Sequence, residues 1–390
     1  MSDARRRPDL AIVIDSFKLG GIERITLRLA AVFVARGMSV DLIVQKNEGP
    51  LSQHVPVGVN VVTLGTSSPL SFMYAFRRYV KTHRPRAVRS SFRIKNTLVA
   101  LVMATLRKPP VLAVTHHNCY SRLDLNRARV SQLQRITLSL ALPVAYRFAD
   151  AIIAVSKGVG AEVASAARLP PRRVHVIPNP IPDADSGDAK EAVPHHPKRF
   201  IFVGRLVAQK RVDRLLQAYA LLEIEDTELI VAGDGPEADN LQSLARQIGI
   251  ANRVRFLGNV LEPECWIRAS QALVLPSDYE GFGNVLVETL ACGTQIVSTD
   301  CPHGPSDILK DGEYGQLVPV DDPEALAEAM RKVATGEFHI DPQRLIERST
   351  RYHVDIIANR YLAVLGLDEF IHDGKSVSPS TIGYSASMPC

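Results

Sequence analysis

Short apolar runs alternate with amphipathic segments along the first half of the chain, and this alternation predicts a parallel α/β sheet with helices between its strands. The predicted strands are Leu10–Asp15, Ser39–Val44, Asn60–Leu64, Ala87–Ser91, Val111–His116, Ala151–Ser156 and Val174–Ile177. The predicted helices include Gly21–Arg36, Leu70–Lys81 and Val130–Phe148. The first domain is therefore expected to cover residues 1–180.

A segment rich in Pro, Asp, Gly and His, residues 181–198, interrupts the pattern and is the predicted linker. The alternation then begins again, which predicts a second α/β domain over residues 199–350 rather than one larger sheet. Its predicted strands are Arg199–Val203, Glu228–Ala232, Val254–Leu257, Ala272–Leu275, Gln295–Thr299 and Gln316–Val318. Helices are predicted over Asn284–Cys292, from Asp321 to about Thr335, and over Arg351–Leu365. The polar tail, 371–390, is predicted to be disordered.

Composition narrows the class of protein. Hydrophobic residues make up 46% of the 390 residues, which provides an ample core. No apolar run reaches the roughly 20 residues that span a bilayer, and the N-terminus lacks the apolar stretch of a signal peptide. We therefore expect a cytoplasmic protein.

No metal site is predicted. The five cysteines are scattered without the spacing of a zinc site, so we expect reduced thiols. The sequence Asp183-Ala184-Asp185 matches a metal-binding DxD pattern by letter, but it lies in the predicted linker and is interpreted as a solvated segment.

Positive charge is concentrated in the first half of the chain. Residues 1–183 hold 27 Lys and Arg against 10 Asp and Glu, whereas residues 184–390 hold 19 against 31. This asymmetry favours an anionic partner for the first half: a membrane surface, a phosphorylated acceptor or nucleic acid. The alternative is a solvated surface, with the two halves attracting each other. The aromatic-rich basic motifs of nucleic-acid-binding modules are absent, so we expect no nucleic-acid partner.

The stretch from Glu280 to Glu288 is the strongest candidate for chemistry. It follows the predicted strand Ala272–Leu275 and leads into a helix, and open α/β sheets bind ligands at this edge. The first amides of the helix, at Gly283 and Asn284, suit a phosphate. Glu288 could accept a hydrogen bond from a ribose, and Glu280 from a second polyhydroxylated group. Together these groups indicate a nucleotide sugar.

Two further segments carry groups that suit phosphates. Gly20 and Gly21 follow the first strand, where backbone amides can approach a phosphate, although an ordinary tight turn explains the pair as well. Arg205 and Lys210 follow the strand Arg199–Val203 and could neutralise a diphosphate leaving group. The alternative for these two is a pair of solvated cations.

The remaining signals are weaker. Gly233 begins a Gly-Asp-Gly-Pro turn, and the backbone of Asn259 could pair with a base edge. His116 ends a first-domain strand and could hydrogen-bond a sugar hydroxyl, or it could be a polar strand-end residue without chemistry. Because side chains alternate along a strand, only one of His116 and His117 would face a ligand, and the sequence leaves open which.

These motifs together resemble the retaining glycosyltransferases of family 4, which have the GT-B fold. The motifs are Glu280-x7-Glu288, Gly20-Gly21 with Glu23-Arg24, Ala154-Val155-Ser156, Ile177-Pro178-Asn179-Pro180, Gly204-Arg205-Leu206 with Lys210, Gly233-Asp234-Gly235-Pro236-Glu237, and Asp300-Cys301-Pro302-x-Gly304-Pro305. They lie within about residues 9–366, and the last also resembles members that build bacterial lipopolysaccharide, capsule or O-antigen chains. The resemblance implies an α/β GT-B fold: two Rossmann-like domains facing each other across a cleft, with a C-terminal helix, within 351–370, crossing back to the first.

The resemblance also implies an activity. We expect transfer of a hexose or N-acetylhexosamine from a nucleotide sugar, UDP before GDP, to a glycan or lipid-linked acceptor in cell-surface polysaccharide synthesis. Anomeric configuration would be retained, and neither a metal nor another cofactor would be needed. A GT-B epimerase and a non-catalytic GT-B binding protein are the alternatives. One position departs from the family pattern: Arg211 stands where members commonly have Gly.

Residue by residue, the resemblance implies distinct roles. Glu280 would contact the transferred sugar, and His116 would lie near the anomeric centre. Glu288 would hold the ribose, and Arg205 and Lys210 would bind the diphosphate. The full donor-binding set implied is Gly20, Gly21, Arg205, Lys210, Gly233, Asn259, Phe282, Gly283, Asn284, Val285 and Glu288.

Basic residues near apolar ones lead to a membrane hypothesis. Arg77, Arg78 and Lys81 share a predicted helix with Phe72, Tyr74 and Phe76, and Arg127, Arg129 and Arg135 precede an apolar helix. Such segments suit an anionic lipid surface, where each cation contributes about 1 kcal/mol at most. The resemblance implies lipid-linked acceptors at the inner face of the cell membrane, so we expect peripheral association with that face.

Overall fold

The structure is a computed structural model that describes residues 7–18, 20–118, 141–181, 198–260 and 262–372, together with Val193 and His196. Within this part, the chain divides into two compact units. The first consists of the chain up to Pro180 and the segment that starts at His353, and the second is Ile181–Tyr352. The predicted tail after His372 and most of the predicted linker lie outside the described residues.

The strands of the first unit are parallel and form one sheet in the order β3-β2-β1-β4-β5-β6-β7. They are β1 (Leu10–Ile14), β2 (Val40–Val44), β3 (Asn60–Thr63), β4 (Ala87–Ser90), β5 (Val111–His116), β6 (Ala151–Ala154) and β7 (Val174–Val176). The strand order reverses between β1 and β4. The carboxyl ends of these two strands are therefore the topological switch point, the place where open α/β sheets bind ligands.

Helices cover both faces of this first sheet. They are Gly21–Ala35, Pro69–His83, Arg93–Ala104, Lys157–Ala166 and Val354–Leu365. The last of these buries Tyr361 and Leu362 in the same core cluster as the helix Gly21–Ala35. Arg36 joins the two helices, because its Nη2 lies 2.7 Å from the Asp355 carboxylate. The C-terminal segment thus completes the core of the first unit.

The second unit repeats the design with strands in the order β10-β9-β8-β11-β12-β13, again all parallel. They are β8 (Arg199–Val203), β9 (Glu228–Ala232), β10 (Val254–Gly258), β11 (Ala272–Leu275), β12 (Gln295–Thr299) and β13 (Gln316–Val318). The helices are Val212–Ala220, Ala238–Gln247, Pro263–Arg268, Asn284–Ala291, Pro305–Leu309, Pro323–Thr335 and Pro342–Ser349. The switch point of this sheet lies between β8 and β11.

The predicted pair of Rossmann-like α/β domains is confirmed, and every predicted strand is present to within two residues. The start of the last helix was predicted too early. Thr350–Tyr352 form a 3-10 turn, and the helix begins only at Val354, after His353 as its N-cap. Most of the predicted helix Val130–Phe148 lies outside the described residues, and its end is a 3-10 turn, Tyr146–Phe148.

The helix Pro69–His83 corrects part of the membrane hypothesis. Phe72 and Phe76 are buried in the core of the first unit, so their side chains cannot contact lipid. Leu70 and Tyr74 are the exposed apolar residues of this helix, at 79% and 73%. Of the other basic residues invoked, those at 127, 129 and 135 lie outside the described residues. In the described ranges, none of the helices has both the length and the apolar character needed to span a bilayer.

Candidate functional site

The second unit brings a lysine and a glutamate together at its switch point. Lys210 follows β8 and Glu280 follows β11, and these two strands are neighbours in the sheet. The Nζ atom of Lys210 lies 2.6 Å from Oε1 of Glu280. The sequence places both residues after strands, but only the strand order shows that they form an ion pair.

The Glu280 carboxylate is held by a second donor. The Ser277 hydroxyl donates to Oε1 at 2.7 Å, and Glu280 is only 5% exposed. The backbone N–H of Glu280 donates to the carbonyl oxygen of Pro302 at 3.1 Å. Charge-assisted hydrogen bonds are short, strong and directional. The carboxylate therefore has a fixed orientation before any ligand binds.

Close backbone packing fixes the turn that follows Glu280. Gly304 has a φ of +147°, and a Cβ there would lie 1.9 Å from the carbonyl oxygen of Phe282. Gly283 has a φ of +94° and is the N-cap of the next helix. The Phe282 ring is buried edge-on against Tyr352, with the ring centroids 5.8 Å apart. Because Phe282 and Val285 are buried, they can offer a ligand mainly their backbone.

The helix Asn284–Ala291 begins at this turn, and its N-cap, Gly283, has no side chain to cap the first amides. The first amides of a helix have no intrahelical acceptor, and they carry the positive end of the helix dipole. Glu288 is half-buried in the next turn. An anion at the helix end and a hydroxyl-bearing group beside Glu288 both suit this arrangement.

The loops that follow β8, β9 and β10 are stacked backbone to backbone. A Cβ at Gly233, which has a φ of +148°, would lie 1.9 Å from the carbonyl oxygen of Gly204. A Cβ at Gly235 would lie 2.2 Å from the carbonyl oxygen of Leu206. The N–H of Gly233 also donates to the carbonyl of Gly258 at 2.7 Å. Gly233 therefore has a structural reason to be glycine that is independent of any ligand.

Two members of the predicted donor-binding set have exposed side chains. Arg205 follows β8, and its guanidinium makes no hydrogen bond or ion pair with the described part of the chain. Its guanidinium is available for a diphosphate near the Lys210 ammonium. Asn259 follows β10, the edge strand of the sheet, and is therefore two strands away from Arg205, which follows β8.

A network of ion pairs supports the loop after β11. Arg214, only 1% exposed, donates to Asp278 at 2.9 Å, to Asp321 at 2.7 Å and to the Pro276 carbonyl at 3.0 Å. Arg211 lies 3.4 Å from Asp278 and has a φ of +46°, in the left-handed region that favours glycine. The glycine common in the family at this position therefore has a backbone reason, and here ion pairs hold an arginine instead.

The two histidines at the end of β5 have different partners in the first unit. His116 Nε2 lies 2.8 Å from the Tyr146 hydroxyl, and His117 Nδ1 lies 3.1 Å from Oδ1 of Asn179. Burial, together with the nearby charge of Arg89, lowers the pKa of His117 to about 3. His117 is therefore neutral near pH 7. With Asn179 as acceptor its proton lies on Nδ1, and its buried Nε2 has no hydrogen-bond partner among the described residues.

A carboxylate lies beside the predicted phosphate loop of the first unit. Gly20 is the N-cap of the helix that begins at Gly21, and a Cβ at Gly20 would lie 2.3 Å from Oε2 of Glu23. Glu23 therefore lies near the amides that a phosphate would use, and two anions repel each other. Phosphate binding at Gly20 and Gly21 stays a prediction, and it requires the Glu23 side chain to turn away.

Sequence reasoning did not single out Ser277 or Arg214. Ser277 stands three residues before Glu280 at a strand end, which is the signal that could have found it. Arg214 lies inside an amphipathic helix and carries no local signal. Among the described residues, no group of three or more His, Cys, Asp or Glu could hold a metal ion. The Asp183 and Asp185 pair lies outside them.

Comparison with protein families divides the chain at the same place as its two units. Residues 19–185 match the family model described as Glycosyltransferase Family 4. Residues 183–352 match the family model described as Glycosyl transferases group 1. Together, the two matches cover most of the chain, including Lys210, Glu280 and both histidines at the end of β5.

Similar proteins carry names from surface-glycan synthesis. An exopolysaccharide phosphotransferase of Streptomyces coelicolor is 34% identical over 194 residues, 48% of this chain and 20% of that protein. The N-acetylgalactosamine-N,N'-diacetylbacillosaminyl-diphospho-undecaprenol 4-alpha-N-acetylgalactosaminyltransferase of Campylobacter jejuni is 26% identical over 333 residues, 83% of this chain and 89% of that protein. A lipopolysaccharide 1,6-galactosyltransferase of Escherichia coli is 30% identical over 210 residues, 50% of this chain and 56% of that protein. The chain thus spans a fifth of the first relative and just over half of the third.

Solved structures share the fold over nearly their whole length. The Anabaena protein Alr3699/HepE in complex with UDP superposes with a TM-score of 0.73 at 21% identity, covering 92% of this chain and 99% of that one. At this level of identity the likeness concerns the fold, and it confirms the architecture expected from the sequence.

Proposed function

The chain belongs to the GT-B glycosyltransferases of the family 4 type, and on that premise we propose that it moves a hexose or N-acetylhexosamine from a nucleotide sugar to a glycan or lipid-linked acceptor, with retention of anomeric configuration. The product would be part of a cell-surface polysaccharide. The whole activity is a proposal about this chain, supported by the geometry of its second unit and by its relatives.

The cluster of Lys210, Glu280 and Ser277 carries this proposal. A buried carboxylate that is already oriented by an ammonium and a hydroxyl can accept hydrogen bonds from sugar hydroxyls without further reorganisation. In the proposed complex, the ammonium of the same pair would supply positive charge to a diphosphate at the N-terminus of the helix Asn284–Ala291. One cluster would thus bind both the sugar and the phosphate that the glycosidic bond of the donor joins.

Groups of the second unit would stabilise the negative charge that develops during the reaction. As the glycosidic bond to the diphosphate breaks, negative charge grows on the leaving phosphate. The charges of Lys210 and Arg205 and the amides of Gly283 and Asn284 would stabilise it. Glu280 would hold the transferred sugar. With retention, the acceptor attacks the face from which the phosphate leaves, and that phosphate takes the acceptor proton.

We propose that these cations and amides make a metal unnecessary, because they supply the positive charge that a divalent ion would supply in other transferases. The prediction that chelation leaves turnover unchanged follows directly. Glu288 would accept from the ribose in the same complex.

UDP is the first donor that we propose, and GDP the second. The structural neighbour from Anabaena has been solved with UDP, with UDP and glucose, and with UDP-glucose. The Campylobacter relative is named for transfer of N-acetylgalactosamine to an acceptor on undecaprenyl diphosphate. These names support UDP-sugars as donors and lipid-linked glycans as acceptors for this chain.

The histidine role assigned to His116 is better suited to His117. His116 Nε2 already meets the Tyr146 hydroxyl, whereas His117 is a neutral acceptor whose Nε2 has no partner in the described structure. A neutral imidazole can accept from a sugar hydroxyl, but it cannot donate a proton from that nitrogen. For Nε2 of His117 to donate a proton, His117 would have to lose the hydrogen bond from Nδ1 to Asn179 and take the other tautomer.

We also propose that the helix Pro69–His83 docks on an anionic membrane. Leu70, Tyr74, Arg77, Arg78 and Lys81 recur at helical spacing along one stripe, apolar at one end and basic at the other. Sedimentation with vesicles rich in phosphatidylglycerol tests this proposal. We expect Arg77→Gln/Lys81→Gln to reduce binding, and absence of binding by the wild type at low salt would contradict it.

The transfer proposal is tested by incubating the protein with UDP- and GDP-sugars in EDTA and measuring release of nucleoside diphosphate. We expect slow release from one donor, lost in Glu280→Gln and Lys210→Met and unchanged in Lys332→Met, a control lysine that is half exposed and pairs with Glu328 of its own helix. An epimerase would release free sugar without any acceptor raising the rate. A donor that binds but never turns over, with any acceptor, would favour a non-catalytic GT-B protein.

A further inference from the structure

The first sheet has a lysine–carboxylate pair at its own switch point. Asp15 directly follows β1, and Lys95 lies in the first turn of the helix that follows β4, the neighbouring strand. In the second sheet the lysine follows the first strand of the pair and the carboxylate follows the other. In the first sheet, the order of the two residues is exchanged.

The Lys95 ammonium is fixed by contacts from three other segments. Its Nζ lies 2.5 Å from Oε1 of Gln45, 3.4 Å from Oδ1 of Asp15 and 3.9 Å from the centroid of the Phe72 ring. The Gln45 amide in turn donates to the Thr66 carbonyl at 2.6 Å. Burial lowers the pKa of Lys95, while the charge of Asp15 acts in the opposite direction.

Only one oxygen of the Asp15 carboxylate, Oδ1, faces the Lys95 ammonium. Oδ1 is buried and accepts no hydrogen bond of good geometry from the described residues, yet the Asp15 side chain as a whole is 47% exposed. The exposure therefore belongs to the rest of the carboxyl group, including Oδ2. Asp15 is held on one side by a buried cation and is open on the other.

The charge of this site selects against a phosphate. The surrounding half of the chain is strongly basic, but an exposed carboxylate repels an anion at short range. A carboxylate held by an ammonium instead suits neutral hydroxyl groups, which donate to the carboxylate oxygens. The ligand class indicated is a neutral sugar ring with adjacent hydroxyls.

We propose that Asp15, paired with the Lys95 ammonium that Gln45 holds in place, binds hydroxyl groups of the acceptor sugar. This inference rests on the proposed function, in which the groups for the donor sugar, ribose and diphosphate come mainly from residues 204–288. The remaining hydroxylated substrate is the acceptor. Asp15 then selects among acceptors, whereas Glu280 selects among donors.

Saturation-transfer NMR with methyl α- and β-glycosides of glucose, galactose and their N-acetylamino forms tests the site without a known acceptor. We expect at least one glycoside to bind the wild type and to bind Asp15→Asn at least about tenfold more weakly. Asp9→Asn is the matched control, because Asp9 is a carboxylate immediately before β1, whereas Asp15 immediately follows it, and Asp9 pairs with Arg86 at 3.3 Å. It should bind glycoside as the wild type does.

Circular dichroism checks that each variant is folded. If Asp15→Asn does not fold, Asp15→Glu keeps the charge facing Lys95 and moves the carboxylate, and it should also weaken glycoside binding. No glycoside bound by the wild type, or equal binding by folded Asp15 variants, would overturn the inference. Binding of UDP-sugars is measured separately, so that failure of the donor proposal is recognised even where a glycoside binds at Asp15.

Discussion

Replacing Arg89 with Met is expected to stabilise the first unit against unfolding. Arg89 lies in β4 and is completely buried, and its Nε, Nη1 and Nη2 atoms have no hydrogen-bond partner in the described structure. Its guanidinium carbon lies 4.7 Å from the centroid of the Tyr361 ring. A guanidinium remains charged at all relevant pH values, so the folded state holds an uncompensated charge.

The magnitude follows from the contacts that are missing and the one that is present. A buried donor without a partner costs roughly 1–3 kcal/mol, and replacing buried ionic groups by apolar residues of similar volume stabilises proteins by roughly 1–4 kcal/mol. Loss of the cation–π contact with Tyr361 offsets up to about 2 kcal/mol. A net gain of about 1–2 kcal/mol should raise Tm by about 2–8 °C for a unit of this size.

Calorimetry on the full chain measures the change, and Arg214→Met is the matched control. Arg214 is as deeply buried, but it is bonded to Asp278, Asp321 and the Pro276 carbonyl. Breaking a buried pair costs about 3–5 kcal/mol, so this variant should lose stability in the second unit. If Arg89→Met lowers Tm as Arg214→Met does, the reasoning is refuted, because Arg89 must then be satisfied in the native protein.

Three further outcomes are expected. The free energy of unfolding should fall as pH drops from about 6.5 toward 3, because His117 binds a proton in the unfolded state that the folded state excludes. In urea unfolding, His117→Gln should reduce the dependence of this free energy on pH by up to about 1.4 kcal/mol per pH unit. Arg211→Gly should be about 1 kcal/mol more stable than Arg211→Ala, since both lose the ion pairs and only glycine adopts a φ of +46° freely; equal Tm values would contradict this. Gly304→Ala should lower nucleotide release about 100-fold by displacing Phe282 and the turn after Glu280, and an unchanged rate would show that this turn tolerates movement.

The architecture was predictable because its signals are local. Apolar runs of strand length, separated by amphipathic segments and turn residues, give each strand of both sheets without knowledge of the others. The boundary between the two domains, after Pro180, is recognisable from the Pro, Asp, Gly and His residues that follow it. The sequence alone likewise places the Gly-Phe-Gly turn before Asn284 after a strand. These features need no partner from elsewhere in the chain.

The contacts of the site were not predictable, because they join segments far apart in sequence. Lys210 and Glu280 meet only because β8 and β11 are neighbours, and strand order is a property of the whole sheet. The partners of His116 and His117 come from Tyr146 and Asn179, which no local pattern connects to β5. The same holds for Asp15 and Lys95.

The helix Val354–Leu365 belongs to the first unit although it follows the whole second unit in the chain. Residues 181–352 must be synthesised before it, which takes roughly 10–30 s at about 5–20 residues per second. During that interval the nascent first unit lacks the cover that Ile357, Tyr361, Leu362 and Leu365 later provide for its sheet. Its apolar face is then open to chaperones, and a translational pause within residues 181–352 would lengthen that exposure.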